Sequence, residues 1–421
     1  MDWMAKAMGL PECFGSQSKS GGGGVIQGSA SEAIVTVMVA ARERYLREKC
    51  DKEGLEDGSK ERDDRVAELR GRLVALSSDQ AHSSTQKGAL IAGTRYKSIA
   101  VEYGEELALT GERLRRALEG CEKEGLEPYF LTTSLGTTGT CAVDRFEEIG
   151  TVKKDYPALW VHVDAAYAGA ALVCEEYQDY SRTFTMADSF NMNMHKWLLV
   201  NFDASCLYVQ NRNHLTRALS ITPSYLQNNY TDSGLVTDYR DWQIPLGRRF
   251  RALKIWFVMR SYGLEGMQAH IRKTVKIGEV FKGLIEERSD LFEIVAPPRF
   301  ALTCFRVNPS AMAGRRAMNG SASTPPKVKG EALAGDFIPD PGTQAETDAN
   351  ALTKQIAELI NQRGEIFITS STTAGKCMIR VVSGNPNAAE KYVRNAFDIV
   401  VRTTDELLHK RQETIPNGKT R

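Results

Sequence analysis

Alternation of short apolar runs with helix-forming segments is the feature that most limits how this chain can fold. Strands are predicted at Leu73–Leu76, Ile99–Val101, Tyr129–Thr133 and Trp160–Val163. Between them lie segments with helical patterning, at 110–124 and 144–154. Such alternation is typical of a mainly parallel sheet covered by helices, so we predict an α/β fold.

Polar residues come directly after several of the predicted strands. They are His82, Thr138, Asp164 and, after a further apolar run at 187–190, Asn193, His195 and Lys196. Ligands of open α/β sheets bind beyond the carboxyl ends of the strands, so a site is predicted there. Taken singly, a lone histidine is more often structural, and Asp164 has the alternative of capping a helix.

A glycine-rich segment, Gly21–Gly24, precedes a predicted helix start at Ser29. Ser29 and Glu32 have the spacing of a capping box, and the segment that follows is rich in alanine and apolar residues. The start of such a helix can bind an anion through its free N–H groups and its dipole. A flexible linker before an ordinary helix explains the glycines equally well.

Lys196 stands between a histidine and Trp197, and this environment predicts a buried lysine. Burial disfavours the ammonium and favours the nucleophilic amine, which can form a Schiff base. A lysine beside aromatic residues more often only extends to solvent. However, the order of these features along the chain suits pyridoxal phosphate. The anion site would bind its phosphate, Asp164 its pyridine nitrogen and Lys196 its aldehyde.

Charge and cysteine usage exclude several classes of protein. Because 54 basic and 53 acidic residues nearly cancel, nucleic acid and membrane surfaces are not expected partners. No apolar run approaches the length of a membrane span, and no signal peptide is evident. The eight cysteines and six histidines show no metal-binding spacing. We therefore expect no metal, reduced cysteines and a cytoplasmic protein.

Beyond these patterns, the chain resembles the aromatic L-amino acid decarboxylases. These are group II pyridoxal-phosphate-dependent decarboxylases that include the DOPA, tyrosine, tryptophan and histidine decarboxylases. The segments that carry the resemblance are 24–33, 77–84, 135–138, 162–169, 187–203 and 232–250. The resemblance is almost continuous from residue 1 to about 308 and then weakens.

The resemblance implies the fold and its division into domains. It implies the fold type I (PLP-dependent transferase-like) architecture, with a mainly parallel sheet in a large domain and a small C-terminal α/β domain. Residues 1–20 are predicted as a remnant of an N-terminal region, 21–265 as the large domain and 266–421 as the small one. Residues 309–346 read as a low-complexity surface insertion. Family members carry a longer N-terminal segment, so we expect that this chain lacks it.

The resemblance also implies roles for individual residues. Lys196 would form the Schiff base with the cofactor, and Asp164 would pair with the pyridine nitrogen. Further cofactor-binding residues are Ala30, Ser31 and Asn193 at the phosphate, Thr138 near the ring, and His82 and Ala166 on its two faces. The remaining catalytic residues are His82, which would also help place the substrate, and His195, which would also bind the cofactor and assist protonation. Tyr225 matches the catalytic tyrosine of a mobile loop that protonates the reacting carbon.

The activity implied is decarboxylation of an aromatic L-amino acid, whether tryptophan, tyrosine, DOPA or phenylalanine, to its amine and carbon dioxide. Related aldehyde synthases typically carry phenylalanine at the position of Tyr225, so tyrosine favours plain decarboxylation. An aromatic aldehyde synthase and a truncated non-catalytic paralogue remain alternatives. The family also implies a homodimer. The sequence does not choose among the aromatic substrates.

Overall fold

The computed structural model describes residues 1–221, 237–311 and 343–413. The chain forms two compact units, Met1–Arg272 and Lys273–Arg421. Among the described residues, no helix is both long and apolar enough to cross a membrane.

The first unit is built on a seven-stranded sheet. In chain order its strands are β1 (Gly23–Gln27), β2 (Leu73–Ser78), β3 (Arg95–Ile99), β4 (Glu127–Ser134), β5 (Trp160–Asp164), β6 (Ser189–Asn193) and β7 (Ser205–Val209). Their order across the sheet is β1-β7-β6-β5-β4-β2-β3.

Helices alternate with these strands along the chain. They are α1 (Asp2–Ala7), α2 (Ala30–Lys52), α3 (Lys60–Arg70), α4 (Ser84–Ala92), α5 (Gly111–Lys123), α6 (Phe146–Asp155), α7 (Gln178–Arg182), α8 (Met194–Trp197) and α9 (Asn213–Leu219). The boundary between the two units falls within α10 (Ala252–Glu287), which has a non-helical residue at Gly263.

The direction of the strands decides where a site can form. β2, β3, β4, β5 and β6 are mutually parallel, and β7 alone runs the other way, antiparallel to both β6 and β1. The prediction of a mainly parallel α/β sheet is therefore confirmed. The segments that follow β1, β2, β4, β5 and β6 consequently all leave the sheet at one edge.

The central strands are buried along their whole length, as helices on both faces require. Every residue of β2, β5 and β6 is buried. Helix α2 buries residues around most of its circumference, including Ile34, Val37 and Met38, which have no exposed surface. These elements hold the strand ends rigidly at the edge of the sheet.

The second predicted strand was misplaced. The sequence predicts Ile99–Val101, whereas β3 covers Arg95–Ile99 and pairs only with β2. It is an edge strand, and Arg95 and Ser98 are exposed. A search for buried apolar runs therefore overlooks most of it, because an edge strand needs fewer apolar residues.

The glycine-rich segment is not a flexible linker over its second half. Gly23 and Gly24 lie in the buried strand β1, where Gly24 pairs with Tyr208 of β7. A Cβ atom on Gly24 would lie 2.8 Å from the Tyr208 ring. Glycine is required here because the aromatic ring covers the strand backbone.

The second unit has an antiparallel four-stranded sheet of order β10-β11-β9-β8. Its elements are β8 (Phe292–Ile294), β9 (Leu302–Val307), α11 (Gln344–Arg363), β10 (Thr369–Thr373), β11 (Lys376–Val382) and α12 (Glu390–Glu413). Helix α11 begins inside the segment 309–346 that was predicted as an insertion, so that boundary was set a few residues too late. Residues 312–342 lie outside the described part of the chain.

Candidate active site

A cavity of ≈ 200 Å³ opens at the edge of the sheet where the parallel strands end. It is lined by Ser29, Ala30, Ser31, His82, Ser134, Gly136, Thr137, Thr138, Asp164, Ala166, Tyr167, Asn193, His195 and Lys196. These residues follow β1, β2, β4, β5 and β6, so the parallel sheet brings together positions that are distant in sequence.

All nine residues predicted to bind a cofactor line this one cavity: Ala30, Ser31, His82, Thr138, Asp164, Ala166, Asn193, His195 and Lys196. Tyr225, predicted as catalytic, lies outside the described residues. Sequence reasoning did not assign Ser134, Gly136, Thr137 and Tyr167 to the site. Each lies within four residues of a predicted residue in the chain, and this proximity at a strand end was the available signal.

The start of α2 forms one wall of the cavity. Ser29 caps the helix, as predicted, because its Oγ accepts a hydrogen bond from the Glu32 N–H at 3.1 Å. The Glu32 carboxylate in turn accepts from the Gly28 N–H at 2.8 Å. The N–H groups of the first helical turn have no partner within the helix, so those of Ala30 and Ser31 can bind an anion such as a phosphate.

Asp164 places a carboxylate in the same cavity. It ends β5, is 9% exposed, and accepts a hydrogen bond from the Ala166 N–H at 2.9 Å through Oδ1. Asp164 does not cap the short 3₁₀ helix that follows at Ala168–Val173, since the N-cap residue of that helix is Tyr167. The carboxylate can therefore pair with a protonated ring nitrogen.

Lys196 lines the cavity but is exposed, so the prediction that its neighbours bury it was wrong. Trp197 is buried and stacks on Tyr167, with ring centroids 4.8 Å apart and planes at 11°. Successive residues of a helix point about 100° apart, so within the short helix α8 the tryptophan and the lysine face different surroundings. The amine of Lys196 is therefore accessible from the cavity.

Two histidines at the cavity have ring nitrogens bound by backbone N–H groups. His195 Nδ1 accepts from the Ala204 N–H at 2.8 Å, and burial lowers the pKa of His195. His82 Nδ1 accepts from the Ser84 N–H at 3.1 Å and lies 2.9 Å from Ser84 Oγ. His82 is exposed rather than part of the core, so its ring can face a ligand.

Asp144 holds the loop after β4, which carries Ser134 to Thr138 along the cavity. Its carboxylate accepts from the Leu109 N–H at 2.8 Å and from the Ser134 N–H at 2.7 Å. Complete burial raises the pKa of Asp144 to about 7, even though both hydrogen bonds act in the opposite direction. The residue is a fixed anchor behind the cavity wall, and sequence reasoning missed it.

Replacing Asp144 by asparagine is expected to lower the free energy of unfolding by ~2 kcal/mol. An amide has one oxygen, so one of the two backbone N–H groups would face the NH₂ group and lose its partner. Affinity for a cofactor should also fall, because Ser134 lines the cavity. Urea unfolding and a cofactor titration followed by fluorescence would measure both.

The matched control is Asp179→Asn, because Asp179 is 82% exposed and forms an ion pair with Arg182 of the same helix. That change should stay within ~0.5 kcal/mol of the parent protein. An Asp144→Asn protein as stable as this control would contradict the anchoring role.

The cavity offers the groups that pyridoxal phosphate requires. The start of α2 and Asn193 suit its phosphate, the Asp164 carboxylate suits its ring nitrogen, and the Lys196 amine suits its aldehyde. Their positions at the carboxyl edge of a mainly parallel sheet match the place where such sheets bind ligands. Fold and site together define a PLP-dependent enzyme of fold type I.

The chain belongs to the pyridoxal-dependent decarboxylases. The model of the pyridoxal-dependent decarboxylase conserved domain matches residues 1–308. This is the part of the chain for which the sequence showed its resemblance to the aromatic L-amino acid decarboxylases. The predicted family, the fold type and the PLP cofactor are confirmed.

Known proteins similar to this chain include members with different reactions. Phenylacetaldehyde synthase of Arabidopsis thaliana is 40% identical over 413 residues, which are 97% of this chain and 74% of that protein. Aromatic-L-amino-acid decarboxylase of Bos taurus is 46% identical over 310 residues, 74% of this chain and 61% of that enzyme. The chain thus spans between about three fifths and three quarters of the length of these relatives.

Similar proteins are also found among the solved structures. The crystal structure of Oryza sativa TDC with PLP and tryptamine superposes with a TM-score of 0.81 at 35% identity. The superposition covers 96% of this chain and 74% of the rice chain.

Proposed function

We propose that this protein uses pyridoxal phosphate to decarboxylate an aromatic L-amino acid to the corresponding amine and carbon dioxide. The observation that carries the proposal is the convergence of the α2 start, Asp164 and Lys196 on one cavity. Relatives named as decarboxylases of aromatic amino acids support the substrate class. When bound, the cofactor supplies an electron sink for the charge left on the reacting carbon.

Different residues would bind and orient the different groups of the cofactor. Ala30 and Ser31 would hold the phosphate through the N–H groups of α2, with Asn193 contributing its amide. Asp164, fixed by its bond to Ala166, would keep the ring nitrogen protonated. Lys196 would bind the aldehyde carbon through Nζ until a substrate amine replaces it.

Further residues would place the ring and the substrate. Ala166 is small and 8% exposed, so it permits close approach of a flat ring on one side. His82 would cover the other side, with Thr138 nearby at the cavity wall. Proton delivery to the reacting carbon falls to Tyr225 or His195.

An aromatic aldehyde synthase is the second candidate, and a specific observation favours it. One relative matched over 97% of this chain, at 40% identity, is named phenylacetaldehyde synthase, while another matched over the same share, at 36% identity, is named tyrosine decarboxylase. The name of the first relative implies an aldehyde product instead of an amine. Tyr225 favours the amine, because aldehyde synthases typically carry phenylalanine at this position.

A product assay distinguishes the candidates. Purified protein with added pyridoxal phosphate would be given tryptophan, tyrosine, DOPA, phenylalanine and histidine separately, and carbon dioxide, amine, aldehyde, ammonia and hydrogen peroxide would be measured. Amine with carbon dioxide supports the decarboxylase. Aldehyde, ammonia and peroxide would support the synthase. Tight cofactor binding without any product would favour a non-catalytic paralogue.

Replacing Tyr225 by phenylalanine is expected to divert product from amine to aldehyde and to slow amine release by at least ~10²-fold, because the phenol that protonates the reacting carbon is lost. The same product assay measures the ratio. Tyr392→Phe is the control, since Tyr392 is 57% exposed in the second unit. An unchanged ratio of amine to aldehyde would show that Tyr225 is not the proton donor.

A homodimer and a cytoplasmic location complete the proposal. An apolar groove lined by Met1, Trp3, Ile26, Phe250, Leu253 and Trp256 supports a protein partner on the first unit. Phe250 is 76% exposed, and such surfaces commonly mark interfaces. All eight cysteines are free thiols, which suits a reducing compartment. Light scattering on the purified protein would test the dimer.

A further inference from the structure

The hydrogen bond on His195 fixes where its proton lies. The Ala204 N–H points at His195 Nδ1 from 2.8 Å. A backbone N–H can only donate, so Nδ1 must accept and cannot carry a proton while this bond exists. A neutral His195 therefore carries its proton on Nε2. In a doubly protonated ring, the Nδ1–H group would face the Ala204 N–H group, and both are donors.

The loop that presents Ala204 is held by two cationic side chains. Arg251 Nη2 donates to Asp203 Oδ2 at 2.9 Å, and Lys254 Nζ donates to the Phe202 carbonyl at 2.9 Å. The Arg251 and Asp203 side chains are only 16% and 13% exposed. Partial burial makes the Arg251–Asp203 pair a firmer restraint than a surface ion pair.

The same loop touches the imidazole a second time. The Phe202 ring meets the His195 ring edge to face, with centroids 4.8 Å apart and planes at 62°. Residues 202–204 therefore restrain the His195 ring through a hydrogen bond and a ring contact. A shift of this loop would release both restraints together.

The Arg251–Asp203 pair also packs against the approach to α2. A Cβ on Gly28 would lie 2.7 Å from Glu32 Oε2, 3.1 Å from Asp203 Oδ2 and 3.3 Å from Arg251 Nη2. Gly28 precedes the cap residue Ser29, so the ion pair lies directly behind the helix start that faces the cavity. One cluster therefore supports both the proposed anion site and the loop that orients His195.

We propose that the Arg251–Asp203 pair positions His195 as a neutral hydrogen-bond donor through Nε2–H, and that His195 is therefore not the acid of the reaction. This inference rests on the proposed decarboxylation. A neutral imidazole that gave up its Nε2 proton would become an anion, so Nε2–H serves as a hydrogen-bond donor and not as an acid. Arg251 and Asp203 are positioning residues.

The charges around His195 agree with a neutral ring. Burial is the main cause that lowers the pKa of His195, and the positive Lys196 and Lys254 act in the same direction, against the hydrogen bond with Ala204 and the negative Asp203. Asp203 is the nearby negative group, and it is already paired with Arg251. An ordinary histidine is half protonated at a pH of about 6.5, so His195, whose pKa is lower, is more than half neutral at that pH.

The test reads the tautomer directly, without cofactor or turnover. Protein labelled with ¹⁵N in its histidine rings would be examined by long-range ¹H–¹⁵N correlation between pH 5.5 and 8, with His195→Gln used for assignment. We expect the Nε2–H form for His195 throughout this pH range. An Nδ1–H form, or a ring protonated on both nitrogens within this pH range, would overturn the proposal whatever the variants do.

Arg251→Gln and Asp203→Asn test the positioning step. Each is expected to give His195 a mixture of tautomers and to lower kcat by ~10-fold or more with little change in KM, and the double variant should lose no more than either single one. Arg249→Gln is the matched control, because Arg249 is 78% exposed and 4.0 Å from Asp203. An unchanged tautomer in both variants would refute the role of the pair.

The experiments distinguish a wrong assignment of the reaction from a wrong assignment of the His195 tautomer. A protein that makes no amine but shows the fixed Nε2–H tautomer would leave the positioning of His195 intact and refute the decarboxylation. Amine formation with a freely titrating His195 would do the reverse.

Discussion

Replacing Lys196 by alanine is expected to abolish covalent binding of pyridoxal phosphate and to lower carbon dioxide release by at least ~10³-fold. Lys196 lines the cavity and is exposed, so its amine is accessible there. No other lysine is among the described residues that line the cavity, so the alanine variant would lack an amine to hold the cofactor aldehyde. Borohydride reduction followed by peptide mass spectrometry would locate the cofactor in the parent protein and in the variant.

Two further variants distinguish the loss of a positive charge from the loss of the reactive amine. Lys196→Arg keeps a positive charge but its guanidinium stays protonated, so it should be as inactive as the alanine variant. Lys87→Ala changes an exposed lysine of α4 and should leave cofactor binding unchanged. Reduced cofactor found on another lysine in the parent protein would refute the assignment of Lys196.

Replacing Asp164 by asparagine is expected to lower turnover by about 10²- to 10⁴-fold while the protein remains folded. The amide oxygen can keep the hydrogen bond from the Ala166 N–H, which now measures 2.9 Å. The negative charge is lost, so the ring nitrogen of the cofactor would lose its proton and the ring its power to accept electrons. Turnover, cofactor affinity and the free energy of unfolding would be measured on one preparation.

Comparing turnover, cofactor affinity and stability identifies why the Asp164→Asn protein loses activity. A fall in turnover with stability close to that of the parent supports the electrostatic role of Asp164. Asp155→Asn, at the exposed end of α6, controls for the loss of one negative charge. Full turnover in the Asp164→Asn protein would show that the carboxylate does not pair with the ring.

Much of the fold followed from local patterns. The runs at Leu73–Leu76, Tyr129–Thr133 and Trp160–Val163 lie within β2, β4 and β5, because strands buried on both faces must be continuously apolar. The cap at Ser29 was also predictable, since a capping box involves residues three apart. Edge strand β3 was misplaced because its exposed residues carry no such pattern.

The site was predictable only in part. Its principal residues were found because parallel strands end at one edge, so polar residues after different strands converge. The burial of Lys196 was predicted wrongly, because neighbours in sequence do not tell which side of a short helix faces the protein. Asp144 and the Arg251–Asp203 pair were missed because they act through backbone groups far away in the chain.

The sequence by itself determined the class of fold, the family and the residue types that a pyridoxal phosphate site requires, since these depend on strand periodicity, local capping and recognisable segments. Only the tertiary structure decided which groups meet. Asp144 lies 35 residues from Leu109, and Asp203 lies 48 residues from Arg251, yet both pairs are within 3 Å. The physical reason is that hydrogen bonds and ion pairs act at contact distance, and contacts between distant segments arise when the sheet and its helices pack.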